Sequence, residues 1–243
     1  MLPNFFKPFL ISEKRLKRLG SKNDGGYVVD IDAVLKTKAF ISFGICDNWD
    51  FENDFIKNSN VTNVHLFDNQ TSLTFLLKRI IFSFLKFKFK SSFVYLHKLI
   101  DFLKIKKNFK KVFIGNGKDE LSLVNILTYY NYDKDVFLKS DIEGSEYRIL
   151  DQILSYQKVF SGIIIEFHDV DLHLKRIESF IEKLDLKICH IHANNYSKIN
   201  EGIPQVLEIT FTRDTNAKRG LCTKFDFPND KSKEEIYLSF NEY

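Results

Sequence analysis

The sequence predicts an α/β protein built on a mostly parallel sheet. First, short β-branched and aromatic runs alternate along the chain with helical patterns, as when crossover helices join parallel strands. Second, the strongest apolar runs end in acids: Val136-Phe137-Leu138 leads into Ser140-Asp141 and then Glu143-Gly144, and Ile163-Ile164-Ile165 leads into Glu166, His168 and Asp169. Buried parallel strands read as continuous apolar stretches, and ligands bind beyond their carboxyl ends. Third, 243 residues at 44% hydrophobic and 28% charged are enough for one large core without covalent staples.

Taken in order, the predicted strands are 39–43, 63–67, 111–114, 136–140, 162–167, 187–192 and 205–212, with a further short one at 221–225 after turn material at 216–220. The predicted helices are 50–58, 71–84, 120–130, 146–155 and 172–184. In the last helix Leu172, Leu174, Ile177, Phe180, Ile181 and Leu184 repeat with helical spacing, so one face packs on the sheet. Seven strands with the last antiparallel, and helices on both faces, is the Rossmann-like layout of a class I methyltransferase; other doubly wound folds begin the same way. The chain reads as a single domain, 1–243, with an N-terminal cap segment (1–38), a basic insertion between the second and third strands (78–110) and a C-terminal tail (213–243).

The composition narrows the function. A net charge of +4 is too mild to imply nucleic acid by itself. The three cysteines, Cys46, Cys189 and Cys222, form no CxxC pair, so neither a disulfide framework nor a thiolate zinc site is indicated, and a reducing, cytoplasmic setting fits. Cys189 lies in an apolar strand and reads as a buried, inert thiol. The N-terminal stretch is too broken by Pro and Lys for a signal sequence, and no apolar run reaches membrane-spanning length.

One region breaks the pattern. From Lys78 to Lys111 eleven Lys or Arg face a single acid, Asp101, and phenylalanines are interleaved. The segment LKFKFK alternates with period two, which suits an exposed strand or an amphipathic surface segment. Four readings fit: a solvated insertion, contact with an anionic nucleotide-linked substrate, weak contact with a membrane surface, or nucleic acid. No dedicated nucleic-acid fold is recognisable, so nucleic acid is not an expected partner.

The strand ends carry the chemistry. The first strand runs into Phe43-Gly44, where a glycine lets backbone approach a ligand closely. The second ends at Asp68-Asn69, 24 positions beyond Gly44, a spacing that suits a ribose-binding acid. Capping the following helix is the other role open to Asp68. The third ends in a Gly115-Asn116-Gly117 turn, placed either for adenine contact or as a plain connection. Glu166 and His168 share a strand face, and neighbouring strands bring Asp141 close to His168 and Asp169. One histidine with carboxylates suits a divalent metal or a general base oriented by an acid. His192, in His190-Ile191-His192, is either structural or a second proton acceptor, and the loop with Asn194 and Asn195 is placed to fold over the site. There is no GxSxG elbow, no P-loop and no HExxH, which weighs against hydrolase and kinase readings.

LKSDIEGSEYRIL (Leu138 to Leu150) resembles the hallmark segment of FkbM-type methyltransferases. KNDGGYVV, ISFGICDNWDFENDF, HLFDN, IIIEFHDVD and HIHANN are similar to a branch of that family acting on sugars, so the resemblance spans about residues 10 to 212. It implies S-adenosylmethionine as cofactor, with Gly44 and its flank, Phe43 included, at its methionine part and Asp68, beside Asn69, at its ribose; on the strand-end reading Gly117 would then lie near its base. It implies a sugar or nucleotide-sugar acceptor, as in polysaccharide precursors, bound by Glu143, Asn194 and Asn195. Proton removal then falls to His168 or His192 beside Asp141, or to a divalent ion (Mg, Mn or Fe(II)) on Asp141, His168 and Asp169. The first loop lacks the fuller DxGxxxG form of the family, and the basic insertion is not among its hallmarks. Two competing readings are a catalytically silent module that binds a nucleoside or a membrane surface, and a nicotinamide-dependent oxidoreductase; the missing GxGxxG opposes the latter. The polar tail fits either a hairpin that helps a homodimer or a loose end.

Overall fold

The structure is a computed structural model and describes residues 1–241. In chain order the elements are β1 (Leu16–Gly20), β2 (Gly26–Asp30), α1 (Ile31–Lys36), β3 (Ala39–Phe43), α2 (Asp50–Asn58), β4 (Asn63–Asp68), α3 (Leu73–Leu85), α4 (Phe89–Ile105) and β5 (Phe109–Lys111). There follow β6 (Phe113–Ile114), β7 (Glu120–Leu121), α5 (Leu123–Tyr129), β8 (Val136–Ser140), α6 (Leu150–Ser155), β9 (Phe160–Phe167), α7 (Val170–Lys183) and β10 (Lys187–Ala193). The last are β11 (Ile199–Asn200), β12 (Ile203–Pro204) and β13 (Leu207–Thr212).

The central sheet has seven strands in the order β10-β13-β9-β8-β3-β4-β5. β13 pairs antiparallel with both neighbours, while the ladders among β9, β8, β3, β4 and β5 are parallel. This is the Rossmann-like class I methyltransferase layout the sequence predicts. Strand alternation sends side chains to two separate cores. Ile41, Leu138, Ile163 and Ile209 meet α5, α6 and α7 on one face, and Phe40, Phe137 and Ile164 meet α1 and α2 on the other. There Phe40 stacks on Phe55 at 4.1 Å, and Phe55 lies 4.8 Å from Phe137. Ser72 and Ser122 cap α3 and α5 by accepting from the Phe75 and Asn125 amides, at 3.1 and 3.0 Å.

The N-terminal hairpin β1-β2 was not anticipated. It folds over the α1/α2 face: the Thr210 hydroxyl donates to the Val28 carbonyl and the Thr212 hydroxyl to Asp30, both at 2.6 Å. Arg15 locks the hairpin base by donating to Asp30 at 3.0 Å, while the Asp30 side chain also caps α1.

Five expectations need correction. LKFKFK is not a strand: Leu85 ends α3, Phe87 turns the chain with a left-handed φ of 54°, and Phe89 starts α4. Its period-two pattern is an accident of a turn between two helices. The third strand begins earlier than 111, because β4 pairs with Phe109–Lys111 while Phe113–Ile114 pairs with β7. That pairing delays α5, which starts at Leu123 instead of Glu120. Residues 221–225 form no strand; there the chain crosses the N-terminal segment, with Phe9 bridging Arg219. Leu172 is 75% exposed, because α7 begins at Val170 and Val170, Ile177 and Phe180 carry its buried face.

Candidate active site

Sheet register builds the site. Phe43, Phe67, Ser140 and Ile165 stand in one row across β3, β4, β8 and β9. The next residue on each strand is Gly44, Asp68, Asp141 and Glu166, so a glycine and three acids share the carboxyl edge. Gly44 has φ 75°, and a Cβ there would lie 1.5 Å from the Asp141 carbonyl oxygen. Only glycine allows the two loops to approach this closely.

Two joined cavities open beyond this row. The smaller, of about 100 Å³, lies between Asp68, Asn69, Phe113, Ile114 and Ile142. The larger, of about 420 Å³, is bounded by Asn48, Glu52, Lys139, Glu166, His168 and Asn194. Gly44, Cys46, Asp141 and Glu143 line both, so they form one continuous crevice. Asp68 accepts the amides of Cys46, Gln70 and Thr71 at 2.9, 2.7 and 2.6 Å. A carboxylate has about four acceptor positions, so one stays free toward a ligand.

The larger cavity is organised around a buried cation. The Lys139 ammonium donates to the Gly44 carbonyl at 2.8 Å and lies 3.6 Å from both Glu52 and Asp141. Burial opposes its charge, but Glu52 and Asp141 outweigh burial and hold its pKa above the ordinary lysine value. The Tyr27 hydroxyl, reaching in from β2, lies 2.9 Å from Asp141 and 2.9 Å from Glu166. Tyr27 has one proton for two carboxyl groups, so one of these must carry its own. That group is Glu166: burial first, then Asp141 and Glu208, push its pKa well above the ordinary range. Asn194 donates to its other oxygen at 3.0 Å.

His168 follows β9. Its Nδ1 is hydrogen-bonded to fully buried Glu146, and its Nε2 lies 3.5 Å from Glu143. Burial alone would lower the imidazole pKa, but the hydrogen bond and charge of Glu146 reverse this and raise it to about 9. Burial lifts the Glu146 carboxyl above its ordinary pKa too, with the hydrogen bond and charge of His168 drawing it partly back. Lys139 and His168 are outnumbered by the acids that line the crevice, among them Asp47, Glu52, Asp68, Asp141 and Glu143, so acidic side chains are in excess there.

Asp141, Glu143 and His168 offer ligand atoms that all lie within 4.8 Å of one another. Glu143 reaches the crevice because it and Gly144 take φ values of 54° and 88°. Asp169 is not in this group; with φ 50° it turns the chain into α7, and Glu143 takes the place the sequence suggested for it.

Other expected site residues lie elsewhere. His192 contacts Glu208 and Glu235 at 3.1 and 3.0 Å, under the tail, so both ring nitrogens are occupied. Burial lowers its pKa, but those acids raise it to about 10; with both nitrogens bonded and the ring lining neither cavity, it has no free atom to offer an acceptor in the crevice. Asn195 donates to the carbonyls of Asp230 and Glu234 at 3.1 Å each, pinning the tail. The Phe43 ring is buried in the core below the crevice, 5.7 Å from Phe67. The Gly117 amide donates to Glu120 at 2.7 Å, within its own turn, and lines neither cavity. Tyr27, Glu52, Lys139 and Glu146 were missed. A lysine inside an apolar strand was the one available signal.

No protein-family model matches the chain, and no curated protein matches it. Among solved structures it is similar to a precorrin-6y C5,15-methyltransferase from Geobacter metallireducens, at 16% identity over 76% of this chain and 85% of that chain, with a TM-score of 0.39. It is also similar to a fibrillarin from Aeropyrum pernix with bound S-adenosyl-L-methionine, at 7% identity over 85% of this chain and 87% of that one, with a TM-score of 0.38. Neither likeness is close enough to assign an activity or a substrate.

Proposed function

We propose that this protein is an S-adenosylmethionine-dependent O-methyltransferase of the FkbM type, acting on a hydroxyl of a nucleotide-linked or polysaccharide-precursor sugar. One observation carries the reading: a single crevice along the carboxyl edge of the sheet, negative in excess, joins a narrow half at Asp68 to a wide half at His168. The donor set suits a cationic nucleoside. Asp68 keeps an acceptor position for a ribose hydroxyl, Phe113, Ile114 and Ile142 offer apolar surface to a base, and the acids around Asp141 complement a sulfonium.

When bound, the cofactor supplies a methyl group on positively charged sulfur for in-line displacement by the acceptor oxygen. The protein's own part is alignment and proton handling. Gly44 gives the backbone room. Asn194 and neutral Glu166 present hydrogen-bonding groups to a polar acceptor beside Asp141. His168, its ring fixed through Nδ1 by Glu146, turns Nε2 to the crevice and takes the hydroxyl proton once it is neutral.

A divalent ion also fits. Asp141, Glu143 and His168 would hold it, Glu146 would orient the histidine from behind, and it would supply Lewis acidity at the acceptor oxygen.

Calorimetry with S-adenosylhomocysteine tests the reading, with micromolar binding expected. His168→Ala should keep that affinity within a few-fold while losing about a hundredfold or more in turnover. Failure of the intact protein to bind S-adenosylhomocysteine would overturn the assignment, and unchanged turnover would remove His168 from the reaction.

A further inference from the structure

Between β4 and β5, α3 and α4 pack side by side as a helical hairpin. Leu76, Phe102 and Ile105 fasten it to the core, but much of its apolar surface faces water. Among the described residues, 12 of the 22 exposed large apolar side chains lie between Leu77 and Leu103. The turn is their focus. Phe87 is 81% exposed, Leu85 69% and Phe84 60%, and the Phe89 ring lies 5.6 Å from Phe84 and 6.3 Å from Phe87. An open groove of about 400 Å³ runs along α3 between Phe75, Ile81, Phe82 and Leu85, flanked by Lys78 and Arg79. Exposed apolar surface on this scale marks a contact site.

The charge identifies what it contacts. No acid occurs between Asp68 and Asp101, and Asp101 is already paired with Lys104 at 2.7 Å. Lys86, Lys88 and Lys90 alternate with the aromatic residues of the turn, and the Lys86 ammonium lies 4.1 Å from the Phe82 ring centre. Long basic side chains that lie along apolar surface can keep their charged ends in a polar layer while the surface beneath is buried. An amphipathic basic helix with Phe and Leu on its other face lies in the plane of an anionic bilayer's interface.

We propose that the α3–α4 hairpin docks this protein on an anionic lipid bilayer, with the Phe84–Phe89 turn entering the interface and Lys86, Lys88 and Lys90 at the headgroups. A second copy of the chain is a poor occupant, because a two-fold contact would set one basic hairpin against another with no free acid in it. Nucleic acid matches the charge but offers little to a dozen apolar side chains. The contact is peripheral, since no helix among the described residues is long and apolar enough to cross a membrane. The hairpin is also tied to the crevice. Lys98 pairs with Asp47 at 3.2 Å and Phe102 packs 5.7 Å from Trp49, while Asp47 itself lines the larger cavity. Docking thus fixes how the mouth of the site is held relative to the lipid surface.

Flotation of the full chain with vesicles tests this, comparing phosphatidylcholine alone with phosphatidylcholine plus phosphatidylglycerol. The protein should float with the anionic vesicles and be released by high salt. Phe87→Ser with Phe89→Ser, and separately Lys86→Glu with Lys88→Glu and Lys90→Glu, should each weaken binding about tenfold or more. Both sets lie on exposed positions, so melting temperature and S-adenosylhomocysteine binding should stay unchanged and show that the variants are folded. No binding of the wild type to anionic vesicles overturns the proposal. So does binding that the Phe variants leave intact, which would mean charge attraction alone, or a wild-type dimer that the Phe variants dissociate and that ignores lipid.

Discussion

Replacing Glu146 by Gln removes one charge and almost no volume, at the residue that governs His168. With the imidazole pKa at about 9, only about 3% of His168 is neutral at pH 7.5. Without the carboxylate the pKa should fall toward its ordinary value, near which about 90% is neutral at the same pH. The shift from 6.5 to about 9 corresponds to about 3 kcal/mol favouring the folded imidazolium. Because the folded value lies above the unfolded one, this contribution is complete below about pH 6.5 and fades as pH rises through about 9. Asp141 supplies part of it, and removing the Glu146 charge also relieves the cost of burying it, so Glu146→Gln should cost about 1–2 kcal/mol at pH 7 and nothing at pH 10. Two measurements check this: urea denaturation of both proteins at the two pH values, and NMR titration of the His168 ring, assigned through His168→Asn. An equal loss of stability at both pH values, or a His168 midpoint still near 9 in the variant, would refute the reasoning.

Lys139→Met should lower stability by about 3–5 kcal/mol in denaturant titration, because it leaves Glu52 and Asp141 without their buried cation. Asp68→Asn should weaken S-adenosylhomocysteine binding about tenfold or more in calorimetry, since a charge-assisted hydrogen bond to ribose becomes a neutral one. Glu143→Ala, at an exposed side chain, should leave the fold intact and weaken Mn(II) binding measured by titration calorimetry; full activity after exhaustive chelation, with no metal by elemental analysis, would remove the ion from the reaction.

The legible parts of the fold were those governed by continuous apolar runs. Val136–Ser140 and Ile163–Ile165 read as buried strands, and their ends located Asp141 and His168 in the crevice, as the ends of Ala39–Phe43 and Asn63–Asp68 located Gly44 and Asp68. β1 escaped notice because Lys17 and Arg18 interrupt its apolar pattern, and it depends on Arg15 holding Asp30. α4 escaped because the Lys/Phe alternation at the turn imitates a strand. His192 shows a different limit. Its strand looks like the His168 strand in sequence, but β13 lies between β10 and β9 and delivers Glu208 to the imidazole. Side-chain period was readable in the chain; which strand intervenes was decided by the assembled sheet. Glu146 was hidden similarly, since its partner lies 22 residues away and only the turn after β8 brings the two together.

The Tyr27 hydroxyl spans 114 residues to Asp141 and 139 to Glu166. β2 is therefore made early in synthesis yet must wait for β9 and β13 before it has anything to cover. Closing so long a loop slows folding, and its reward arrives only when the last sheet strands are in place. Pulsed hydrogen exchange should accordingly find amides of β3 and β8 protected before those of β1 and β2. Until that final wrapping step the acids at the sheet edge lack their phenol, so a chain halted late in folding would own the whole framework and still lack a properly charged pocket.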